Sequence, residues 1–200
     1  MDHYFLAPQA PVAVPRAYWL NGDGASIKGQ ILGSHVMLIE PNEGNYRRIL
    51  DEALSSGDFD MEVLNHLFSD SAMILPRRRL ALLSGEFRAT DHRRYLSEDK
   101  DVVWNAHAEL SRAYLVHFSD WPLPKPWKRR DEEMWQSMLP PCREHGTETA
   151  NETRCADRVL WSSFYENYDY GQTNVCEVLS LAPFKNRSPD KHLKGGAISM

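Results

Sequence analysis

The segment LVHFSDWPLPKPW, from Leu115 to Trp127, is the most informative stretch of this chain of 200 residues. It begins with a short apolar run that ends at His117, and three prolines and two tryptophans then lead to and surround Lys125. Proline presets the backbone dihedral φ and removes an amide donor, so the pattern predicts a strand followed by a stiff loop. Neutral imidazole is a common metal ligand, and lysine binds phosphate as a point charge. Together, His117 and Lys125 predict a site for a metal-bound diphosphate.

A second interpretation of His117 follows from its position at the end of an apolar strand, where a histidine is more often a half-buried packing residue than a ligand. On spacing alone this interpretation is preferred. The pattern of His117, Lys125, Pro126 and Trp127, however, resembles the H-x-x-G-x-x-K-P-W signature of the glycogenin-like retaining glycosyltransferases. Asp120 stands at the position of the usual Gly, and two extra residues separate it from Lys125.

Composition excludes some classes of protein. The chain is long enough for one domain with a real core, and its net charge of −5 argues against general nucleic-acid binding. The basic clusters at 77–79 and 128–130 are predicted to be solvated surface. No apolar run approaches the roughly 18 residues of a membrane span, and no signal-peptide pattern follows Met1. The sequence therefore leaves the location open between Golgi or secretory and cytoplasmic. Of the three cysteines, one pair, for example Cys142 and Cys155, is compatible with a disulfide.

The order of apolar segments predicts an α/β fold. A buried strand is expected at 12–14, and the continuous run 36–39 predicts a central strand buried on both faces. Asn42 is expected to cap a helix with one apolar stripe from Tyr46 to Leu54, ending before Gly57. A second helix starts near Asp58. Further short strands are expected at 72–75 and 80–83, and further helices at 134–139, 160–165 and 175–181.

Two D-x-D patterns, at 58–60 and 99–101, match the metal motif of sugar-nucleotide transferases in letters only. That motif places two carboxylates at a strand end, whereas Asp58 is expected at the N-cap of a helix and the second pair in a polar loop. Capping is therefore the preferred interpretation of Asp58.

The resemblance extends over 2–127 through ordered segments. Residues 60–65 resemble the family's D-Q-x-x-L-N segment, with Met61 in place of Gln, and the resemblance implies a catalytic role for Asp60 in orienting the sugars. Residues 32–35 stand where the family has F-N-S-G, and only Ser34 is shared, which implies a cofactor-binding role for Ser34. In the same way the resemblance implies that His117 is a metal ligand and Lys125 a diphosphate ligand.

The resemblance is closest to fungal nucleotide-diphospho-sugar transferases and N-acetylglucosaminyltransferases. It implies that the chain is the C-terminal portion of a GT-A domain, in which a mixed sheet is flanked by helices and the N-terminal nucleotide-binding half is missing. Residues 1–182 would form this partial domain with a helical extension, and 183–200 a disordered tail. The implied activity is retaining transfer of a hexose or N-acetylhexosamine from a UDP-sugar to a glycan or protein, with Mn2+ in a site that is incomplete here. The truncated chain is expected to be weak or inactive. The alternative is a non-catalytic remnant or interaction domain.

Overall fold

The computed structural model describes residues 2–20, 31–96, 101–142 and 155–181. Within these residues the chain is a mixed α/β fold, as predicted, in which two small sheets are flanked by helices. The strands are β1 (Val12–Val14), β2 (Leu38–Ile39), β3 (Met73–Ile74), β4 (Ala81–Leu83) and β5 (Leu115–His117). The α-helices are α1 (Glu43–Ser56), α2 (Asp60–Phe68), α3 (Arg77–Leu80), α4 (Arg93–Leu96), α5 (Ala106–Arg112), α6 (Glu132–Ser137) and α7 (Ala156–Leu181). No helix within the described residues combines the length and the apolar character that crossing a membrane requires.

Strand β1 is the centre of the first sheet, whose order is β2-β1-β3, antiparallel to β2 and parallel to β3. Side chains alternate across a strand, so Val12 and Val14 pack on one face with Phe68 of α2, while Ala13 packs on the other face with Leu80. All three residues of β1 are buried.

The prediction of a central strand at 36–39 is wrong. Only Leu38 and Ile39 form a strand, β2 lies at the edge of the sheet, and Ile39 is 52% exposed. The continuous apolar run is typical of a strand buried on both faces, but the strand that has a neighbouring strand on each side is β1.

Helix α1 begins and ends as predicted. The Asn42 side chain accepts a hydrogen bond from the Asn45 amide at 3.0 Å, and Gly57 ends the helix with φ of 71°. The predicted buried stripe is only partly buried, because Ile49 packs against the core beside α2 while Tyr46 is 60% and Leu54 77% exposed. This helix thus leaves apolar surface uncovered within the described residues.

The second sheet is the parallel pair β4-β5, and it lies beside the largest core cluster. This cluster joins Leu82 and Leu83 of β4 to aromatic side chains that include Trp104, Trp161 and Tyr165. The two helices predicted at 160–165 and 175–181 are one continuous helix, α7, since no proline interrupts the sequence between them. The Cys142–Cys155 disulfide precedes it, and Cys176 is a free, exposed thiol.

Two residues of the basic cluster at 77–79 do not lie on the solvated face that was predicted, whereas Arg79 is exposed as expected. Arg77 is buried and donates to the backbone carbonyls of Arg94 and Tyr95, both at 2.9 Å. Arg78 pairs with the buried carboxylate of Glu109, 2.6 Å away. These arginines therefore belong to the internal packing of the protein.

Two sequence predictions lie outside the described residues. They are the disordered tail at 183–200 and the polar loop with the D-x-D pattern at 99–101, of which only Asp101 is described.

Candidate active site at the end of strand β5

His117 is the last residue of β5 and is paired in register with Leu83 of β4. It is half-buried, and neither ring nitrogen forms a hydrogen bond with another described residue. Burial lowers the pKa of His117, and the nearby charge of Lys125 lowers it further. The imidazole is therefore neutral at pH 7, and within the described residues its nitrogen atoms have no hydrogen-bond partner, which is the state that binds a metal.

The loop after β5 returns Lys125 to the strand end. The Lys125 ammonium donates a hydrogen bond to the Phe118 carbonyl, and the Lys128 amide donates to the Lys125 carbonyl at 2.9 Å. Pro126 is buried and the Trp121–Pro122 peptide bond is cis. The structure thus brings Lys125 close to His117, which lies eight positions earlier in the sequence.

Asp120 holds this loop, and the sequence analysis did not find that role. Its carboxylate accepts hydrogen bonds from the Ser84 hydroxyl, from Trp161 Nε1 at 3.0 Å and from the Tyr165 hydroxyl at 2.8 Å. Ser84 Oγ in turn accepts from the Ser119 amide at 2.8 Å. Burial raises the pKa of Tyr165, as does its contact with Asp120. The residue at the family's Gly position is therefore a buried anchor between the two strands and α7.

His35 is a further residue of this site that the sequence analysis did not single out. Its ring centroid lies 5.4 Å from that of His117 and 5.4 Å from that of Trp19. Burial lowers the pKa of His35 to about 4, with an additional contribution from His117. Ser34, which was predicted to bind the cofactor, directly precedes His35 and is half-buried. Ser34 therefore directly precedes a residue whose ring lies beside that of His117.

Asn65 of α2 positions the segment that carries Ser34 and His35. Its Nδ2 donates to the Leu32 carbonyl at 3.0 Å, and its Oδ1 accepts from the Leu32 amide at 2.8 Å. The segment is also paired with the end of β1, because the Gly33 amide donates to the Pro15 carbonyl at 2.8 Å. Asn65, the last residue of the D-x-x-x-L-N pattern, thus fixes the backbone that leads to Ser34 and His35.

Asp60, the predicted catalytic residue, is the exposed first residue of α2. It lines an apolar cavity of about 320 Å³ together with Met37, Ile39 and Val63. Among the described residues, no hydrogen bond or ion pair joins Asp60 to His117 or Lys125. The structure therefore brings His117 and Lys125 together but shows no contact between them and Asp60.

The prediction that Asp58 caps α2 is wrong. The N-cap position is Phe59, and the Asp58 carboxylate instead lies 3.7 Å from His66 Nδ1, which is 3.1 Å from Glu52 Oε1. These three groups are the one set within the described residues whose geometry could hold a metal. They are largely exposed and join α1 to α2, so ion pairing between the helices accounts for them.

Comparison with known proteins finds fungal relatives named Glucose N-acetyltransferase 1. The protein from Gibberella zeae is 43% identical over 179 residues, covering 88% of this chain and 38% of the relative. The protein from Aspergillus fumigatus is 38% identical over 180 residues, covering 84% of this chain and 45% of the relative. The protein from Candida albicans is 25% identical over 130 residues. The chain thus spans less than half the length of these curated relatives. No protein-family model matches the chain, and neither does any solved structure.

Proposed function

We propose that this chain is part of a fungal glycosyltransferase that transfers a hexose or N-acetylhexosamine from a nucleotide diphosphate sugar, with retention of configuration. The shared name of its relatives, Glucose N-acetyltransferase 1, combines glucose with an N-acetyl group. N-acetylglucosamine is therefore the sugar we favour, and UDP-N-acetylglucosamine the donor. A GT-A fold for the whole enzyme, and a glycan or protein as acceptor, are part of the same proposal.

The observation that carries this proposal is the proximity of His117 and Lys125 at the end of β5. One residue is a neutral imidazole without a hydrogen-bond partner among the described residues, and the other is a half-buried ammonium. The combination suits a diphosphate that arrives with a bound cation, since imidazole binds the metal and lysine binds the phosphate charge. The buried Asp120 anchor keeps the loop in this arrangement before any ligand binds.

Lys125 stabilises the leaving group in the proposed reaction. When the bond between the anomeric carbon and the phosphate oxygen breaks, the bonding electrons stay on the diphosphate, which gains negative charge. An ammonium group has three donors, and the Lys125 ammonium uses one of them on the Phe118 carbonyl. The others remain for phosphate oxygens, and a charge held in place before the reaction stabilises developing charge without reorganisation.

A divalent cation such as Mn2+, when bound, supplies additional positive charge against the diphosphate. His117 fits as one of its ligands because its nitrogen atoms are free within the described residues. No described carboxylate forms a hydrogen bond or ion pair with His117. We expect the remaining ligands to come from the diphosphate and from other oxygen or nitrogen groups of the protein.

Asp60 and Ser34 have the supporting roles in the proposal. The Ser34 hydroxyl, beside His35, binds the donor nucleotide sugar. The Asp60 carboxylate orients the sugars from the start of α2, where it is exposed to solvent. Because Asn65 joins α2 to Leu32, the two positions belong to one connected framework.

A second candidate function is a non-catalytic interaction domain derived from such an enzyme. The exposed apolar residues of α1, including Tyr46 and Leu54, favour it, because an apolar stripe on a helix is normally covered. The two proposals differ at the β5 site, since an interaction domain has no need to bind a diphosphate there.

Binding of UDP to the purified chain, measured by isothermal titration calorimetry with and without Mn2+, tests the proposal. We expect UDP to bind more tightly with Mn2+, His117→Ala to remove most of this metal dependence, and Lys125→Ala to weaken UDP but not uridine. His107→Ala on α5 is the matched control, because that histidine is exposed. If UDP and uridine bind equally weakly to all four proteins, the interaction domain is the better conclusion. If His117→Ala lowers only the melting temperature, His117 is a packing residue.

A further inference from the structure

We propose that His35 is a third member of the diphosphate site, donating a hydrogen bond from Nε2 to a phosphate oxygen beside His117 and Lys125. This inference rests on the proposed function, because it concerns the same ligand. It assigns a role to a residue that stands at the last position of the segment similar to F-N-S-G, where the family has a glycine without a side chain.

The position of the His35 ring is closely defined by its neighbours. The ring lies between Trp19 and His117, with interplanar angles of 62° and 56°. The backbone before it is held on one side by Asn65, through Leu32, and on the other side by Pro15, through Gly33. A side chain supported in this way is already oriented before a ligand arrives.

Gly33 provides the space for this ring. A Cβ atom at position 33 would lie 2.9 Å from both Cε1 and Nδ1 of His35, which is closer than a real Cβ approaches another heavy atom. A larger residue at this position would therefore displace the imidazole. Gly33 and His35 thus act as a pair, in which the absent side chain of one residue makes room for the ring of the other.

The two nitrogen atoms of His35 have different surroundings. Among the described residues neither has a hydrogen-bond partner, but Nδ1 is buried whereas Nε2 is not. A buried N–H without an acceptor is rarer and costs more than an unused lone pair. The neutral ring therefore carries its proton on Nε2, the ring nitrogen that is not buried.

The charges around His35 favour an anion over a free cation. Lys125 contributes a positive charge beside His117, and His117 lies beside His35. Within the described part of the chain, no carboxylate is hydrogen-bonded or ion-paired to His35, His117 or Lys125. A phosphate oxygen is an acceptor that complements both the Nε2–H donor and the ammonium.

Binding of inorganic pyrophosphate and of UDP to the full chain tests the inference, with calorimetry as the measurement. His35→Phe keeps a flat ring in the same space but removes the donor, and we expect roughly a tenfold loss of affinity, as for one hydrogen bond to a charged group. His35→Gln keeps a donor and should lose less. Gly33→Ala leaves His35 in the chain but displaces its ring, so it should weaken pyrophosphate in the same direction. His107→Phe is the control and should bind like the wild type.

The outcomes separate the inference from the proposed function. If the wild type binds pyrophosphate and His35→Phe binds it equally well, the inference is overturned while the proposed function stands. If the wild type binds neither pyrophosphate nor UDP, the proposed function fails and the inference with it. Long-range ¹H–¹⁵N correlation spectra of the wild type give a second check that needs no variant to fold. A neutral His35 with its proton on Nδ1 would contradict the inference.

Discussion

Replacing Asp120 by alanine should lower the free energy of unfolding by about 4 kcal/mol. The carboxylate is fully buried and accepts hydrogen bonds from Ser84, Trp161 and Tyr165. Without it, the Trp161 N–H and the Tyr165 hydroxyl lose their acceptor in the core, and each orphaned donor costs about 1–3 kcal/mol. For a chain of this size 1 kcal/mol corresponds to about 2–4 °C, so the melting temperature should fall by about 8–16 °C.

Thermal unfolding followed by circular dichroism and by tryptophan fluorescence measures this change, since Trp161 is one of the affected groups. Asp70→Ala, at an exposed turn, is the control and should stay within about 0.5 kcal/mol of the wild type. Tyr165→Phe should destabilise the wild type but not Asp120→Ala, because in that background it removes an orphaned hydroxyl. A melting temperature for Asp120→Ala within about 2 °C of the wild type would refute the reasoning.

Three further predictions concern the ligand site. Lys125→Arg should restore only part of the UDP affinity that Lys125→Ala loses, because a planar guanidinium does not fill the space of a compact ammonium; full restoration in calorimetry would contradict this. Because the pKa of His35 is lowered from 6.5 to about 4, the unfolded state binds more protons between these values, so stability should fall as the pH falls from about 6.5 to about 4. Urea titrations should show that the free energy of unfolding depends less steeply on pH in His35→Phe than in the wild type. An unchanged pH dependence would count against a lowered pKa for His35. Finally, no described strand carries a D-x-D, so the purified chain with Mn2+ should release no UDP from UDP-glucose, UDP-galactose or UDP-N-acetylglucosamine, and metal-dependent release would overturn that expectation.

Local signals in the sequence predicted the parts of the fold that depend on neighbouring residues. The cap at Asn42 and the left-handed end at Gly57 depend only on a few adjacent residues, and both are confirmed. The mixed α/β class also follows from the order of apolar segments. By contrast, the apolar run at 36–39 has the composition of a central strand, but its place in the sheet depends on pairing with β1. Periodicity within one segment carries no information about such pairing.

The candidate site shows the same division. The sequence pattern predicted that His117 and Lys125 act together, and the structure places them at one strand end. The sequence pattern could not predict Asp120 as an anchor, because the partners of that carboxylate lie 36, 41 and 45 residues away in the sequence. His35 was missed for a similar reason, since its proximity to His117 depends on contacts between distant segments. A polar residue at a position where a family has glycine is the signal that both cases share.

The contact between Asn65 and Leu32 also limits how far the first sheet can extend. Leu32 pairs with Arg16, but the hydrogen bonds of this pairing are formed by the neighbouring residues Ala17 and Gly33. The amide and carbonyl of Leu32 therefore point away from Arg16. The side-chain amide of Asn65 occupies both groups, as the peptide unit of a neighbouring strand would. An edge with free backbone groups recruits strands from other molecules and leads to aggregation. Because Leu32 is buried, water cannot replace the Asn65 amide. The residue that orients Ser34 and His35 therefore also closes this edge of the sheet, and its loss would leave the Leu32 amide and carbonyl without that partner as well as disturb the site.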